Sequence, residues 1–350
     1  MPFWLAIGMY HLAYTNNEND PLFLFLKHVR LAREVVAVVP RVTSPTLRRR
    51  ELGLALRDLR LKRGLTVDHV AEALLCSASK VSRMETGQRG VTLRDVRDLC
   101  GLYDVTDEGE RDRLMNMARE TRQPGWWQSY GLPYSNYVGL EQVAASIRLY
   151  DSAVIPGLFQ TVEYARALHE ASIPKQDMEV IDQWVNTRAA RQRILTSEHP
   201  PTLRVIVDEA VLHRPVGGVS VMQRQLKRVV EVADYPTVSL RVIPYDVGAH
   251  PALDSIFTIL EFDSNAPNVV YVEGLVGHLF LDHTQDLDRY GQVFERLSAM
   301  ALSELESLTL IGKMADDYGK GSLMDDTPTV ITRHPHTAFG EIGEIGEIGV

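Results

Sequence analysis

Cysteine is nearly missing from this sequence: Cys76 and Cys100 are the only two in 350 residues. Two thiols build neither a disulfide framework nor a closed structural zinc site, and they suit a reducing cytoplasm. Long apolar runs are missing as well. No stretch reaches eighteen uninterrupted apolar residues, so no membrane-spanning helix is expected. The first forty residues have no positively charged start and no small-residue cleavage site, which argues against a signal peptide. Catalytic signatures are equally scarce. There is no Gly-x-Ser-x-Gly elbow and no phosphate-binding loop. The one His-Glu pair, His169-Glu170, has Ile173 where a zinc peptidase needs its second histidine. His278 and His283 lie on a strand-like segment at an odd spacing, which sends their side chains to opposite faces. No metal and no cofactor is expected.

What is present is a packed composition, 45% hydrophobic and 24% charged, at a length that favours two domains. The net charge of −9 hides an asymmetry. From Arg41 to Arg94 there are 12 Lys/Arg against 5 Asp/Glu, a local charge of +7, which leaves −16 on the rest. A basic N-terminal module on an acidic body fits a chain of which one part meets a polyanion. Residues 1–44, with scattered apolar clusters and an Asn-rich break, read as an unstructured extension, and so does the tail 319–350 with its "EIGEIGEIGV" repeat. Translated upstream sequence with a start near Val42 is the preferred reading of the first forty residues, so those before about Val42 are expected to contribute neither fold nor binding.

The basic module, 45–123, has helical periodicity. Leu52, Leu56 and Leu59 gather on one side of a first helix that Gly64 ends. Thr66 starts a short second helix, Ser77 a third, Thr92 a fourth and Asp107 a fifth ending near Arg122. The run "LRDLRLKRGLTVDHVAEALLCSASKVSRMETGQRG" resembles the repressor-type helix-turn-helix domain of the XRE-like regulators over some sixty residues. Val67 stands where that family commonly has a glutamine, so a side-chain phosphate contact there is not carried over. The resemblance implies that the third helix enters the major groove, with Ala78, Ser79 and Arg83 as base readers. Lys80, Arg89 and the backbone amides of Thr66 and Val67 are the phosphate contacts it implies. Glu85 points away from DNA and pairs with Arg60 in a structural ion pair. A merely solvated basic face is the blander alternative, and the caps, the turn and the inward Ala71 speak against it.

From residue 125 to 318 the texture changes. Helices are expected at Gly139–Asp151, Thr161–Ala171, Asp177–Ser197, Ser220–Asp234, Asp286–Ala301 and Ser303–Tyr318. Strands are expected in "TLRVIVDE", "VSLRVIPY", "SIFTILEF" and "NVVYVEG". The fold class is therefore multidomain: an all-α helix-turn-helix domain followed by an α+β domain. Arg188, Arg191 and Gln192 share a helix face, as an anion site or as salt-bridge partners within the body. Asp208, Glu209 and Glu273 sit at strand ends, where either capping and pairing or a site would place carboxylates. The segments "IPGLFQTVEYARAL", "RAARQRIL", "VIVDEAVLHRPVGG" and "LRVIPYDVGAH" resemble the C-terminal domain of unknown function in WhiJ-like actinomycete regulators, here DUF5753-like.

Together these readings give a cytoplasmic, nucleoid-associated transcriptional regulator that binds double-stranded DNA as a homodimer, because one recognition helix reads too few bases. An enzyme tethered to DNA would need a catalytic constellation that the sequence lacks, so no enzyme is expected. The resemblance of the body also implies a small acidic protein partner, or a ligand, sensed by the body. The alternative is an antitoxin that sequesters a small toxin and regulates its own operon.

Overall fold

The computed structural model describes residues 44–320 apart from 123–124, 131, 133, 173–176, 265 and 275–276. The proposed N-terminal extension and most of the tail lie outside the described residues. Five helices come first: α1 Pro45–Lys62, α2 Val67–Ala73, α3 Ala78–Glu85, α4 Leu93–Leu102 and α5 Glu108–Glu120. Each start carries its chemical reason. Ser44 Oγ accepts from the Thr46 amide and Pro45 occupies the first turn of α1, where no N–H is needed. The hydroxyls of Thr66, Ser77 and Thr92 and the Asp107 carboxylate each accept from the third helical amide. Leu52, Leu56, Val70, Val81, Met84, Val96, Leu99 and Leu114 close a core common to all five.

The body follows as α6 Ser135–Glu141, β1 Ser146–Asp151, α7 Val162–Glu170, α8 Met178–Arg191, β2 Thr202–Asp208, α9 Ala210–His213, α10 Val219–Ala233 and β3 Val238–Ile243. Then come β4 Phe257–Glu261, β5 Val269–Gly274, β6 Gly277–Leu281, α11 Thr284–Met300 and α12 Glu304–Lys320. The sheet has six strands in the order β3-β2-β1-β4-β5-β6. β1, β2 and β3 run parallel, whereas β4, β5 and β6 are antiparallel to their neighbours. Alternate strand residues feed two cores. Ile147, Val205 and Val242 meet α10 and α12 on one face, while Tyr150, Ile206 and Ile259 meet Phe294 and Leu297 of α11 on the other. Helices on both sheet faces explain why successive β2 residues, Val205, Ile206 and Val207, are all buried.

One expected element is corrected. Residues 139–151 do not form one helix: α6 ends at Glu141 and Ser146–Asp151 is a central strand. Leu140, Val143, Ala144 and Ile147 fall at helical spacing by coincidence. What decides is the pairing of β1 with both β2 and β4, which satisfies its backbone on both sides. His283 is a second correction. It lies outside β6, directly before α11, so it shares no strand with His278.

Over the described residues the two domains belong to one compact unit. Leu47 of α1 belongs to the core of the body, beside Trp127 and Tyr137. Gly139 of α6 is the seat of that contact, since a Cβ there would strike Thr46 and the Trp127 ring. Farther along α1, Arg50 is buried and its Nη2 lies 2.5 Å from Asp282 Oδ2, in the link between β6 and α11.

Candidate DNA interface

The third helix is positioned from beneath. Val81 and Met84 are nearly fully buried, and Gly53 of α1 lets the end of α3 approach so closely that a Cβ would lie 2.5 Å from the Met84 and Glu85 carbonyl oxygens. Arg60 Nε and Nη2 donate to the two Glu85 carboxylate oxygens at 2.6 and 2.9 Å, and Arg60 Nη1 donates to the Leu65 carbonyl at 2.7 Å. Both side chains are buried. A bidentate guanidinium–carboxylate pair of this kind fixes orientation as well as distance, so the angle of α3 on α1 is set by one planar contact.

With that face held, the other is free. Ser79, Ser82 and Arg83 are exposed, and Arg83 Nε rests on the Ser79 carbonyl at 3.2 Å. Arg89 is exposed beyond the helix end. The other expected DNA contacts are placed differently. Ala78 is half-buried against the helical core, as is the Val67 side chain. Lys80 is half-buried, its Nζ 3.1 Å from Asp95 Oδ1 of α4. Burial works against the Asp95 carboxylate, yet hydrogen bonds from Thr92 and the Lys80 ammonium hold it below the usual carboxylate range. A phosphate contact from Lys80 would have to open that pair. The Thr66 amide is spoken for as well: it donates to His69 Nδ1 at 3.5 Å, while the His69 amide donates back to Thr66 Oγ1.

Leu75 is the anomaly of the motif. It sits in the turn before α3 with φ 51° and is 95% exposed. A left-handed backbone is costly for a leucine, and no burial offsets it here.

In the body, the three residues picked from one helix face have separate tasks. Arg191 is buried and clamps Glu141 in two 2.7 Å hydrogen bonds, with its guanidinium over the Tyr134 and Tyr137 rings. Gln192 Nε2 donates to the Gly157 and Gln160 carbonyls and so holds the 157–160 turn. Among the described residues Arg188 bonds only neutral groups, Gln160 Oε1 at 2.5 Å and Tyr134 Oη at 3.4 Å. Arg188 and Arg191 line a cavity of about 260 Å³ at the C-terminal end of β1. The Glu141 partner and the cavity itself were hidden in sequence, because residues 139–151 read as a helix.

The strand-end carboxylates divide similarly. Asp208 accepts from the Ala210 amide and lies 3.5 Å from His250 Nε2. Glu209 holds His213 and the Tyr245 amide. Glu273 reaches the cavity. Among the described residues no group of three or more His, Cys, Asp and Glu is placed to hold a metal ion. No helix among them is long and apolar enough to cross a membrane.

Comparison with known families adds two matches. Residues 51–114 match a helix-turn-helix domain, and residues 134–313 match the domain of unknown function (DUF5753). No curated protein and no solved structure matches the chain.

Proposed function

The chain belongs to the family of the domain of unknown function (DUF5753), here joined to a helix-turn-helix domain, and on that premise we propose that it is a sequence-specific DNA-binding regulator whose C-terminal body is the sensing half. The observation that carries the DNA reading is α3: capped by Ser77, locked from below by Arg60–Glu85, and showing Ser79, Ser82 and Arg83 outward. A major groove admits one helix, and an arginine there grips guanine through two hydrogen bonds. One recognition helix reads too few bases for genomic specificity, so a homodimer on an inverted repeat is proposed, with half-sites about one helical turn apart. The body, residues 125–320, has 16 Lys/Arg against 25 Asp/Glu, and this net −9 disfavours DNA contact there and supports a different task. The cavity supports a small ligand over a small protein partner as what it senses.

Selection of duplexes from a random pool with the full chain tests this. An enriched inverted repeat is expected. Arg83→Ala should cost about 1–3 kcal/mol on that site and little on random DNA. Equal losses on both, or no enriched sequence, would refute the assignment of α3.

A further inference from the structure

The cavity at the end of β1 lies where ligands bind in open α/β sheets, outside the carboxyl end of a strand whose two neighbours run in opposite senses. About 260 Å³ falls just below the range of drug-sized sites, so it suits a metabolite-sized molecule. Three of its walls are charged, and only one is internally neutralised. Arg191 and Glu141 cancel each other. Arg188 has no carboxylate partner among the described residues, and its buried Nε makes no hydrogen bond. Asp151 and Glu273 line the same cavity, two carboxylates that repel each other. Asp151 Oδ1 accepts from the Ala153 and Val154 amides, and no hydrogen bond occupies its other oxygen. Burial, reinforced by Glu273, pushes the Asp151 carboxyl up to about 6. Tyr134, Tyr150 and Tyr271 supply flat apolar faces between the charges.

An unneutralised guanidinium, a carboxylate pair short of a cation and aromatic walls are complementary to one molecule carrying both charges. We propose that this cavity binds a small zwitterion of amino-acid type with a flat apolar side group, its carboxylate on Arg188 and its ammonium on Asp151 and Glu273. This rests on the body being the sensing half and adds the class of ligand. A carboxylate makes two parallel hydrogen bonds to a guanidinium. An ammonium near an aromatic face gains from the ring quadrupole. The cavity also adjoins the DNA module: Tyr137 and Glu141 line it from α6, the helix whose Gly139 seats Thr46 of α1.

The test uses the full chain and calorimetry with a panel of the standard amino acids, the aromatic ones included. Each is compared with its decarboxylated amine and its deaminated acid. At least one zwitterion should bind about tenfold or more tighter than both of its half-molecules. Arg188→Gln should reduce it to the level of the amine, and Glu273→Gln, at an exposed position that folding tolerates, should reduce it to the level of the acid. A panel in which no zwitterion outperforms its halves, or variants that bind as the parent does, would overturn the proposal. DNA binding measured on the same variants without ligand keeps the two readings apart. If DNA binding fails while zwitterion binding holds, the regulator reading falls and the site stands.

Discussion

Arg60 and Glu85 show how one residue pair carries consequences beyond its own energy. Removing either leaves the other charge buried and unpaired, which costs about 3 kcal/mol or more. Glu85→Ala should therefore lower the unfolding free energy by about that amount in urea titration, while an α3 surface change such as Ser82→Ala should be nearly silent. A Glu85→Ala protein as stable as the parent would mean that water reaches Arg60. Leu75 gives the opposite sign. Its left-handed conformation costs roughly 1–2 kcal/mol, and its exposed side chain has little contact to lose. Part of the gain from glycine is returned through the greater freedom of the unfolded chain. Leu75→Gly should still raise stability by about 0.5–1 kcal/mol, and a loss would show that the leucine is held by something other than its own backbone.

At the scale of elements, the approach of α1 to α3 is governed by Gly53. On propensity alone Gly53→Ala should stabilise a helix interior by about 1 kcal/mol. Here the added methyl meets backbone oxygens at 2.5 Å, and backbone cannot swing aside as a flexible side chain can. The expected outcome is a net loss of stability, measured by thermal melting, together with weaker DNA binding as α3 is pushed off α1. A rise in melting temperature would show that α3 tolerates the shift. The helical elements were readable beforehand because their caps and periods are local, from Thr66 through Asp107. β1 was not, since a strand covered on both faces does not alternate and its apolar spacing imitated a helix.

For the whole molecule, the seating of Leu47 in the core of the body and the Arg50–Asp282 pair predict shared stability. Calorimetry should show one cooperative transition, and Leu47→Ala should shift all of it. Two separated transitions, only one of them moved, would make the domains independent. Two buried groups of the body make opposing contributions to the pH dependence. The Asp151 carboxyl is raised by burial to about 6, so between roughly pH 4 and 6 the folded state binds more protons than the unfolded, and stability falls as pH rises through that window. His169 is lowered by burial to about 4, so over about pH 4–6.5 the unfolded state binds more, and stability rises with pH. Asp151→Asn keeps an oxygen for the Ala153 and Val154 amides and removes only the first contribution. Its gain in stability should be present at pH 7 and vanish near pH 4, and an equal gain at both would contradict the raised carboxyl.

Caps, turn glycines and the charge step after Arg94 are properties of neighbours in the chain, so the sequence alone determined the five-helix module. The Arg60–Glu85 partnership was legible too, through family resemblance. What only the tertiary structure decided are relations between distant segments. Lys80 and Asp95 are fifteen residues apart, Glu141 and Arg191 fifty, and Arg50 and Asp282 more than two hundred. No local period encodes such a pairing. It arises when two surfaces are buried together and each charge must find the nearest opposite one. The cavity belongs to that second kind: Asp151, Arg188 and Glu273 become a site only because the fold brings residues of β1, α8 and β5 around one cavity.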